Sequence, residues 1–308
     1  MYNRKRMNQE LTTEENFRSG FIAIVGRPNV GKSTLINAIV GEKIAAVSEK
    51  PNTTRNRILG VKTLPDSQLV FLDTPGIHKA RGGLGKAMVQ TAMNTIGEAD
   101  VILMMIEVDE PFGKGDCFIV NNLPKPAILA INKIDTVKKS EILNIMAESQ
   151  KFLDKFLEVI PVSALKPDGI DILVSAIKNY LSTGPKYFPD DMITDQPERF
   201  LVSELIREKI FMLTREEIPY KTAVVIEDFQ DVPEKNLVRI SAIIYAERAN
   251  HKGILVGGKG EMLKQVGSLA RVDIERILGS KVYLELWVKV KERWTERKEL
   301  VREFGYGS

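Results

Sequence analysis

Short apolar runs alternate with amphipathic stretches along the first 180 or so residues of this chain. The apolar runs predict six strands, at about residues 21–26, 58–63, 68–73, 101–108, 127–132 and 159–163. Helical patterns such as 34–40 and 170–181 separate most of them. This alternation is typical of an α/β fold with a mostly parallel, doubly wound sheet covered by helices on both faces. A ligand is then expected at the carboxyl ends of the strands.

A different pattern begins near residue 198. Residues 182–185 read Ser-Thr-Gly-Pro, which stops the preceding helix, and residues 184–198 lack apolar periodicity. Beyond them the order of predicted elements is α-β-β-α-α-β, which matches a smaller α+β fold of the type II KH class. We therefore predict four parts: a flexible N-terminal extension over 1–19, an α/β domain over 20–183, a linker over 184–198, and a KH-like domain with a C-terminal helix over 199–308.

The first strand runs into a phosphate-binding loop pattern, Gly26-Arg27-Pro28-Asn29-Val30-Gly31-Lys32-Ser33, and Thr34 continues the next helix. The glycines let consecutive backbone N–H groups point at phosphate oxygens, and the helix N-terminus adds partial positive charge. We expect Lys32 to reach the β and γ phosphates and the Ser33 hydroxyl to bind Mg²⁺. Taken alone, the stretch has an alternative interpretation, an ordinary glycine turn before a helix.

The third predicted strand ends in a motif that also points to a bound nucleotide phosphate, Asp73-Thr74-Pro75-Gly76. An aspartate at this position supplies a second Mg²⁺ contact, usually through water, and the Gly76 amide can sense the γ-phosphate. We expect Lys32, Asp73 and Gly76, together with Thr54 from the segment between the two motifs, to serve hydrolysis of the terminal phosphate.

The fifth predicted strand ends in a base-reading motif, Asn132-Lys133-Ile134-Asp135. The Asp135 carboxylate can accept two hydrogen bonds from guanine, which adenine does not offer. The Lys133 stem would cover the base, and Asn132 would tie this loop to the phosphate loop. The backbone N–H groups of Ser163, Ala164 and Leu165 are candidates to hold guanine O6. The motifs together predict GTP rather than ATP.

Two segments between these motifs are predicted to respond to the γ-phosphate. Residues 49–57 form an effector segment that contains Asn52, Thr53, Thr54, Arg55 and Asn56. One of the two threonines is expected to close over Mg²⁺, and we favour Thr54 over Thr53; a solvated polar loop is the alternative. Residues 76–86, with glycines at 82, 83 and 85, form the second switch.

The expected water-orienting residue is missing. Ile77 follows Asp-x-x-Gly where Ras-like enzymes carry a glutamine, so we expect slow intrinsic hydrolysis. Asn29 can help to hold K⁺ beside the phosphates, where the ion would supply an arginine finger's charge. The alternative is that Asn29 only braces the loop.

The second half contains a Gly-x-x-Gly loop between two predicted helices. It consists of Gly257, Gly258, Lys259 and Gly260, with Lys252, Lys264 and Arg271 nearby. Such a loop lets an RNA backbone approach closely and clamps about four nucleotides. We expect RNA binding here; a purely structural α/β tail is the alternative.

Composition narrows the picture only slightly. A chain of 308 residues suggests two domains, and a net charge of +3 hints weakly at polyanionic partners. The single cysteine, Cys117, rules out an internal disulfide and suits a reducing cytosol. We expect no secretory signal, no membrane span and no internal repeat. His78 and His251 are expected to be solvated or RNA-facing rather than metal ligands, and Trp294 to pack on its own domain or to stack on a base.

The combination resembles the bacterial Era GTPases over nearly the whole chain. Beyond the nucleotide motifs, the resemblance rests on residues 53–55, 213–219, 254–260 and 290–294. It implies a mainly monomeric assembly factor for the 30S ribosomal subunit, whose KH domain binds the 3′ end of the small-subunit (16S) ribosomal RNA. It also implies GTP, GDP and Mg²⁺ as ligands and a cytoplasmic location with some peripheral contact with the inner membrane surface.

Three functions compete at this stage. In the first, GTP orders both switch segments and so changes how the KH domain meets RNA. In the second, the chain is an RNA-binding module in which the nucleotide is a static structural ligand, an idea that Ile77 supports. In the third, a GTPase supports tRNA modification, which leaves the Gly-x-x-Gly loop unexplained.

Overall fold

The computed structural model describes residues 16–48, 50–51, 53–76 and 82–306. These residues divide by their contacts into two compact units. The first unit holds 16–44, 57–76 and 91–195. The second holds 196–306 together with the described residues of 45–56 and 82–90, two stretches from the first half of the sequence. Within the described residues, no helix has the length and apolar character needed to cross a membrane.

The first unit alternates strands with helices. Its strands are β1 (Arg18–Gly26), β2 (Ile58–Leu64), β3 (Ser67–Asp73), β4 (Val101–Glu107), β5 (Ala127–Asn132) and β6 (Phe156–Pro161). Its helices are α1 (Lys32–Val40), α3 (Lys114–Asn121), α4 (Lys139–Ser149) and α5 (Ile170–Asn179), with short 3₁₀ turns at Ile134–Thr136 and Gln150–Phe152. Helix α2 (Gly82–Glu98) begins in the second unit and ends in the first.

The six strands form one sheet in the order β2-β3-β1-β4-β5-β6, and only β2 runs antiparallel to its neighbour. The central strands are buried along nearly their whole length because both faces of the sheet are covered. The prediction of a mostly parallel, doubly wound sheet is confirmed. Its register pairs Ile24 with Asp73 and Glu107 with Asn132, which brings the strand ends that carry the motifs to one edge.

Two strands of this sheet, β1 and β6, differ from the prediction by more than one residue at a boundary. Strand β1 begins at Arg18, inside the predicted extension, because Arg18 and Ser19 already pair with β3, and the Arg18 guanidinium donates to the Leu181 carbonyl at 2.9 Å. Strand β6 covers Phe156–Pro161 rather than 159–163. It ends early because Ser163 turns back to form an isolated bridge with Asp168. Residues 1–15 of the predicted extension lie outside the described residues.

The second unit follows the predicted order α-β-β-α-α-β. Its elements are α6 (Glu198–Leu213), β7 (Thr222–Val232), β8 (Leu237–Ala246), α7 (Ala249–Val256), α8 (Glu261–Leu278), β9 (Lys281–Val290) and a terminal α9 (Lys298–Glu303), with 3₁₀ turns at Pro219–Lys221, Pro233–Lys235 and Gly258–Gly260. Strand β8 lies between antiparallel β7 and parallel β9. One sheet face packs on α6, α7 and α8 through residues such as Ile206, Ile240, Leu255 and Ile274.

The C-terminal segment covers part of the other face of this sheet. Trp294 is fully buried there with Ala223 and Phe304, and the Phe304 ring stacks on Tyr245 at 4.5 Å. Of the two roles considered for Trp294, packing on its own domain is therefore correct and stacking on a base is wrong.

Candidate functional site

The phosphate loop lies between β1 and α1. Gly31 caps α1 in the left-handed region, at φ 97°, which glycine adopts without strain. A Cβ on Gly31 would lie 2.2 Å from the Asn132 amide nitrogen. Glycine is therefore required here for two reasons, the backbone angle and the close approach of the base-reading loop.

Lys32 is buried beneath the loop. Its ammonium group donates to the carbonyls of Gly26, at 3.1 Å, and Arg27, at 2.8 Å. Burial lowers the pKa of Lys32 to about 8, and the negative charge of Asp73 partly opposes this shift. The side chain can carry the positive charge that phosphate binding requires, but it holds that charge at a cost in desolvation.

Two oxygen groups meet beside Lys32. The Ser33 hydroxyl donates to Asp73 Oδ2 at 2.7 Å, and the Asp73 side chain is fully buried at the end of β3. A hydroxyl and a carboxylate are the kind of hard oxygen ligands that Mg²⁺ prefers, so these residues fit the expected metal. Thr74 differs from its neighbour: its hydroxyl donates to the Ile24 carbonyl at 2.8 Å, so that it fastens β3 to β1.

The base-reading loop is joined to the phosphate loop as expected. Asn132 Nδ2 donates to the Val30 carbonyl at 2.8 Å, and Asn132 Oδ1 accepts from the Ala164 backbone N–H at 3.0 Å. The Ser163 N–H donates to the Asp168 carbonyl at 2.9 Å. In this arrangement the N–H groups of Ser163 and Ala164 already have acceptors, Asp168 and Asn132, with which guanine O6 would compete. The assignment of the N–H groups of 163–165 to guanine O6 stays a prediction.

The Asp135 carboxylate is held in place by two neighbouring side chains. The Ser163 hydroxyl donates to Asp135 Oδ1 at 2.7 Å, and Lys166 Nζ lies 3.6 Å from Asp135 Oδ2. The hydrogen bond from Ser163 is the main reason that the pKa of Asp135 lies below its ordinary value. The carboxylate is thus ionised at neutral pH and orientated by a neighbour that sequence reasoning had assigned only a backbone role.

The surroundings of Arg27 were also not predicted. Its side chain contacts the carboxylates of Glu107, Glu110 and Asp116, which come from β4 and the segment after it. No local pattern links Arg27 to residues about 80 to 90 positions away, so sequence reasoning had no signal for this cluster. The guanidinium group is committed to these carboxylates, which leaves the backbone of Arg27 for the nucleotide.

The effector segment is packed into the second unit. Thr53 and Thr54 are buried, and the Thr53 hydroxyl donates to the Lys50 carbonyl at 2.8 Å. Arg55 is 2% exposed and donates to the carbonyls of Thr222, Pro219 and Tyr220 at 2.7 to 3.1 Å. The choice between Thr53 and Thr54 as a metal ligand stays a prediction.

Part of the predicted switches lies outside the described residues: Glu49 and Asn52 in the first switch, and residues 77–81, which include Ile77 and His78, in the second. Residues 82–86 of the second switch belong to helix α2, where the Leu84 N–H donates to the Thr295 carbonyl at 3.0 Å.

The Gly-x-x-Gly loop joins α7 to α8, as predicted. Gly257 has φ 71°, and a Cβ there would lie 2.8 Å from Met262 Cβ. Lys259 and Gly260 also have positive φ, at 51° and 82°. The basic residues expected to contact RNA are all exposed: Lys252, Lys259, Lys264 and Arg271. The loop therefore offers accessible backbone with Lys259 inside it and with Lys252 and Lys264 within a few residues on either side, which suits a phosphodiester chain. Arg271 lies about three turns from the loop along α8.

His251 contradicts the expectation of a solvated or RNA-facing side chain. It is 2% exposed in α7, and its Nε2 lies 3.4 Å from Glu217 Oε1. The reason is helical geometry: His251 lies four residues before Leu255, on the α7 face that packs against the core. Ile254, on the opposite side, is 50% exposed, whereas Leu255, Val266 and Ile274 belong to the core.

Comparison with known proteins also divides the chain into two parts, each of which matches a different family. Residues 21–133 match the family described as 50S ribosome-binding GTPase, and residues 217–295 match the KH domain family. GTPase Era of Geotalea uraniireducens is 50% identical over 297 residues, which cover 96% of this chain and 99% of that protein. GTPase Era of Syntrophus aciditrophicus is 47% identical over 293 residues, 94% of this chain and 95% of the relative.

Two solved structures resemble the chain along almost its whole length. One is a point variant of Aquifex aeolicus Era bound to GDP and AlF₄⁻; the other is Era in complex with MgGDPNP and nucleotides 1506–1542 of 16S ribosomal RNA. Each is 45% identical, covers 95% of this chain and 100% of the solved chain, and gives a TM-score of 0.92.

Proposed function

This chain belongs to the Era family of GTPases, and we propose that it is a GTP-driven switch that binds the 3′ end of small-subunit ribosomal RNA and assists 30S subunit assembly. The solved Era complex with MgGDPNP and a 16S ribosomal RNA fragment supports the choice of RNA, because that protein is 45% identical to this chain. The exposed lysines at and beside the Gly-x-x-Gly loop, Lys252, Lys259 and Lys264, support the same choice.

One observation carries the switch itself: the effector segment is anchored in the unit that contains the Gly-x-x-Gly loop. Arg55 and Lys50 both donate to backbone carbonyls of that unit, Lys50 to those of Phe211 and Thr214. In our proposal, GTP draws Thr54 toward Mg²⁺ and the γ-phosphate. The segment then has to exchange its contacts with the RNA-binding unit for contacts with the nucleotide, which couples the two ligands.

For hydrolysis we assign roles to five residues. Lys32 neutralises the β and γ phosphates, and the Gly76 amide senses the γ-phosphate. Ser33, Asp73 and Thr54 would hold Mg²⁺, with Asp73 acting through water, and the bound metal would supply positive charge to the phosphate oxygens. The protein's contribution is to hold the nucleotide, the metal ligands and Lys32 in one arrangement.

Asn29 is our candidate for a K⁺ ligand. It lies exposed in the phosphate loop at φ 69°, a left-handed conformation that asparagine tolerates better than most residues. Replacing Na⁺ by K⁺ should then accelerate hydrolysis by the natural protein. Asn29→Gly keeps the backbone angle accessible and removes the amide, so it should abolish the difference between the two salts. Equal rates in both salts for the natural protein would assign Asn29 to bracing the loop.

A cytoplasmic location with peripheral contact with the inner membrane surface is a further proposal that rests on the resemblance to the family. Flotation of the purified protein with vesicles of anionic and of neutral lipid tests it. Binding to neither kind of vesicle would count against the contact.

The central experiment measures RNA affinity in two nucleotide states. A labelled oligonucleotide from the 3′ end of small-subunit ribosomal RNA is titrated with the protein bound to GDP or to a non-hydrolysable GTP analogue, at one salt concentration because phosphate contacts are salt-dependent. A scrambled oligonucleotide is the control. Tighter binding in the GTP state supports the switch. Equal affinities favour the static structural ligand, and no binding in either state would overturn the choice of RNA.

A further inference from the structure

Glu107 lies where the two nucleotide motifs meet. It is the last residue of β4, and the register of the sheet pairs it with Asn132, the last residue of β5. Its side chain therefore leaves the sheet at the edge where the base-reading loop begins. The side chain is 17% exposed, so its charge is only partly screened by solvent.

The two carboxylate oxygens of Glu107 contact different segments. Oε2 accepts a hydrogen bond from the ammonium group of Lys133, the residue expected to cover the guanine base. Oε1 lies 3.8 Å from Nη2 of Arg27 in the phosphate loop. One carboxylate thus links a side chain of the base-reading motif to a side chain of the phosphate loop.

Arg27 is a fixed partner for Glu107. Its Nε donates to Asp116 Oδ1 at 2.9 Å, and its two terminal nitrogens donate to Glu110 Oε2 and to the Glu110 carbonyl, each at 2.7 Å. Asp116 is fully buried. A Cβ on Gly115 would lie 2.7 Å from Arg27 Cδ, so the chain approaches the arginine stem as closely as glycine allows.

Lys133 needs such a partner. Its backbone is left-handed, at φ 67°, and its ammonium group ends a flexible four-carbon stem. A lysine loses up to about 2 kcal/mol of rotamer freedom when its side chain is ordered. If Glu107 orders the stem before the base arrives, less of that cost falls on nucleotide binding.

We propose that Glu107 is a positioning residue for guanine-nucleotide binding, which fixes the Lys133 stem along the base and braces it against Arg27 of the phosphate loop. The inference rests on the assignment of residues 132–135 as the base reader. Glu107 itself need not touch the nucleotide; it acts by keeping two binding segments in one arrangement.

The test is Glu107→Gln, which keeps the shape of the side chain and removes its charge. Fluorescent GDP should dissociate about five-fold faster, the size expected when one charge-assisted hydrogen bond in a partly exposed site is weakened. KM for GTP should rise by a similar factor, with kcat within about two-fold, because the affected contact serves binding rather than the phosphoryl transfer. Glu148→Gln is the matched control, because Glu148 forms an ion pair with Lys151 at 3.0 Å in the same unit. This substitution should change neither the rate of GDP dissociation nor KM for GTP.

A double-mutant cycle shows whether Glu107 acts through Lys133. In a Lys133→Met background, Glu107→Gln should change GDP dissociation by less than about two-fold. An equal effect in both backgrounds, or no effect in the natural background, would overturn the proposal. Asp135→Asn separates this failure from that of the base reader: if that variant turns toward xanthine nucleotides while Glu107→Gln changes nothing, the base reader stands and Glu107 has no positioning role.

Discussion

The guanidinium carbon of Arg55 lies 5.7 Å from the centre of the Trp294 ring. The rings of Phe211 and Tyr306 lie at 5.8 and 5.2 Å from the same atom, so three aromatic rings surround one cation. Burial lowers the pKa of Arg55 below its ordinary value, yet arginine stays charged because that value is so high. The cation is stabilised by the rings and by three backbone carbonyls.

The first prediction concerns this contact. Arg55→Met should lower the free energy of unfolding of the second unit by about 2–4 kcal/mol, because three buried carbonyls lose a charged donor and the cation–π contacts vanish. The chain has two tryptophans, Trp287 and Trp294, and both lie in this unit. Tryptophan fluorescence during urea denaturation therefore reports its unfolding.

Arg55→Lys is the graded control. Lysine keeps the charge but has only one donor group, which does not reproduce the planar fork of the guanidinium. Its unfolding midpoint should lie between those of the natural protein and Arg55→Met. Identical unfolding midpoints for all three proteins would show that neither the hydrogen bonds to the carbonyls nor the cation–π contacts of Arg55 stabilise this unit.

The second prediction follows from Lys32, whose pKa is lowered to about 8 from an ordinary value of 10.5. Between these two pH values the unfolded chain keeps a proton that the folded chain has released, so the contribution of Lys32 to stability rises with pH across this window. Bound phosphates favour the charged ammonium group and raise its pKa again. Nucleotide binding above about pH 8 should therefore take up a proton.

Calorimetry measures this uptake directly. GDP binding in buffers of different ionisation enthalpy should reveal net proton uptake at about pH 8.5, and less uptake at about pH 7, where Lys32 is already charged. In Lys32→Arg the cation does not titrate in this range, so any binding that remains should be independent of buffer. Uptake of the same size in Lys32→Arg would assign the proton to another group.

The third prediction concerns base choice. Asp135→Asn replaces an acceptor by a group that also donates, which suits xanthine better than guanine, so the preference should shift toward xanthine nucleotides. Ser163→Ala removes the 2.7 Å hydrogen bond that orientates Asp135 and should weaken GDP binding about three- to ten-fold without changing the preference. Displacement of a labelled nucleotide by GDP and by xanthosine diphosphate measures the affinity for GDP and the base preference of both variants. Unchanged GTP selectivity in Asp135→Asn would refute the base-reader assignment.

Local patterns were enough to predict most of the fold and the positions of the motifs. The phosphate loop, the Asp73 motif and the Asn132 motif are short, and each follows an apolar strand whose carboxyl end must lie at one edge of a parallel sheet. The order of helices and strands in the KH-like domain could also be predicted from local patterns, because the elements on either side of the Gly-x-x-Gly loop have clear periodicity.

What the sequence did not reveal depends on contacts between distant residues. Arg55 and Thr222 are 167 positions apart, and Arg27 and Asp116 are 89 apart, so neither pairing leaves a periodic trace. His251 was misjudged because a lone polar residue in a short helix does not show which face packs on the core. These missed residues share one property: the surroundings of each polar side chain are set by segments distant in the sequence or by the packing of a helix face, and not by its neighbours in the sequence.

The fourth prediction tests the Gly-x-x-Gly loop. Gly258→Asp with Lys259→Asp places two carboxylates where an RNA backbone would approach, so RNA affinity should fall at least about a hundred-fold while GDP binding stays unchanged. The site tolerates these changes. A Cβ on Gly258 meets no atom within 4 Å, and aspartate is among the residues that accept the left-handed angle of Lys259. Gly257→Ala would not be a fair test, because its Cβ would lie 2.8 Å from Met262 and any loss could reflect misfolding.

The control for this variant makes a slightly larger change in charge, −4 rather than −3, on strand β9 instead of in the loop. Lys281→Asp with Lys289→Asp alters two exposed lysines of β9 in the same unit. If RNA binding depended only on the net charge of the unit, both double variants would lose affinity, with the control losing at least as much because it removes two lysines rather than one. The loop assignment instead predicts a much larger loss in the first variant, measured by titration of the labelled oligonucleotide at fixed salt. Equal losses would show that the loop is not the site of contact.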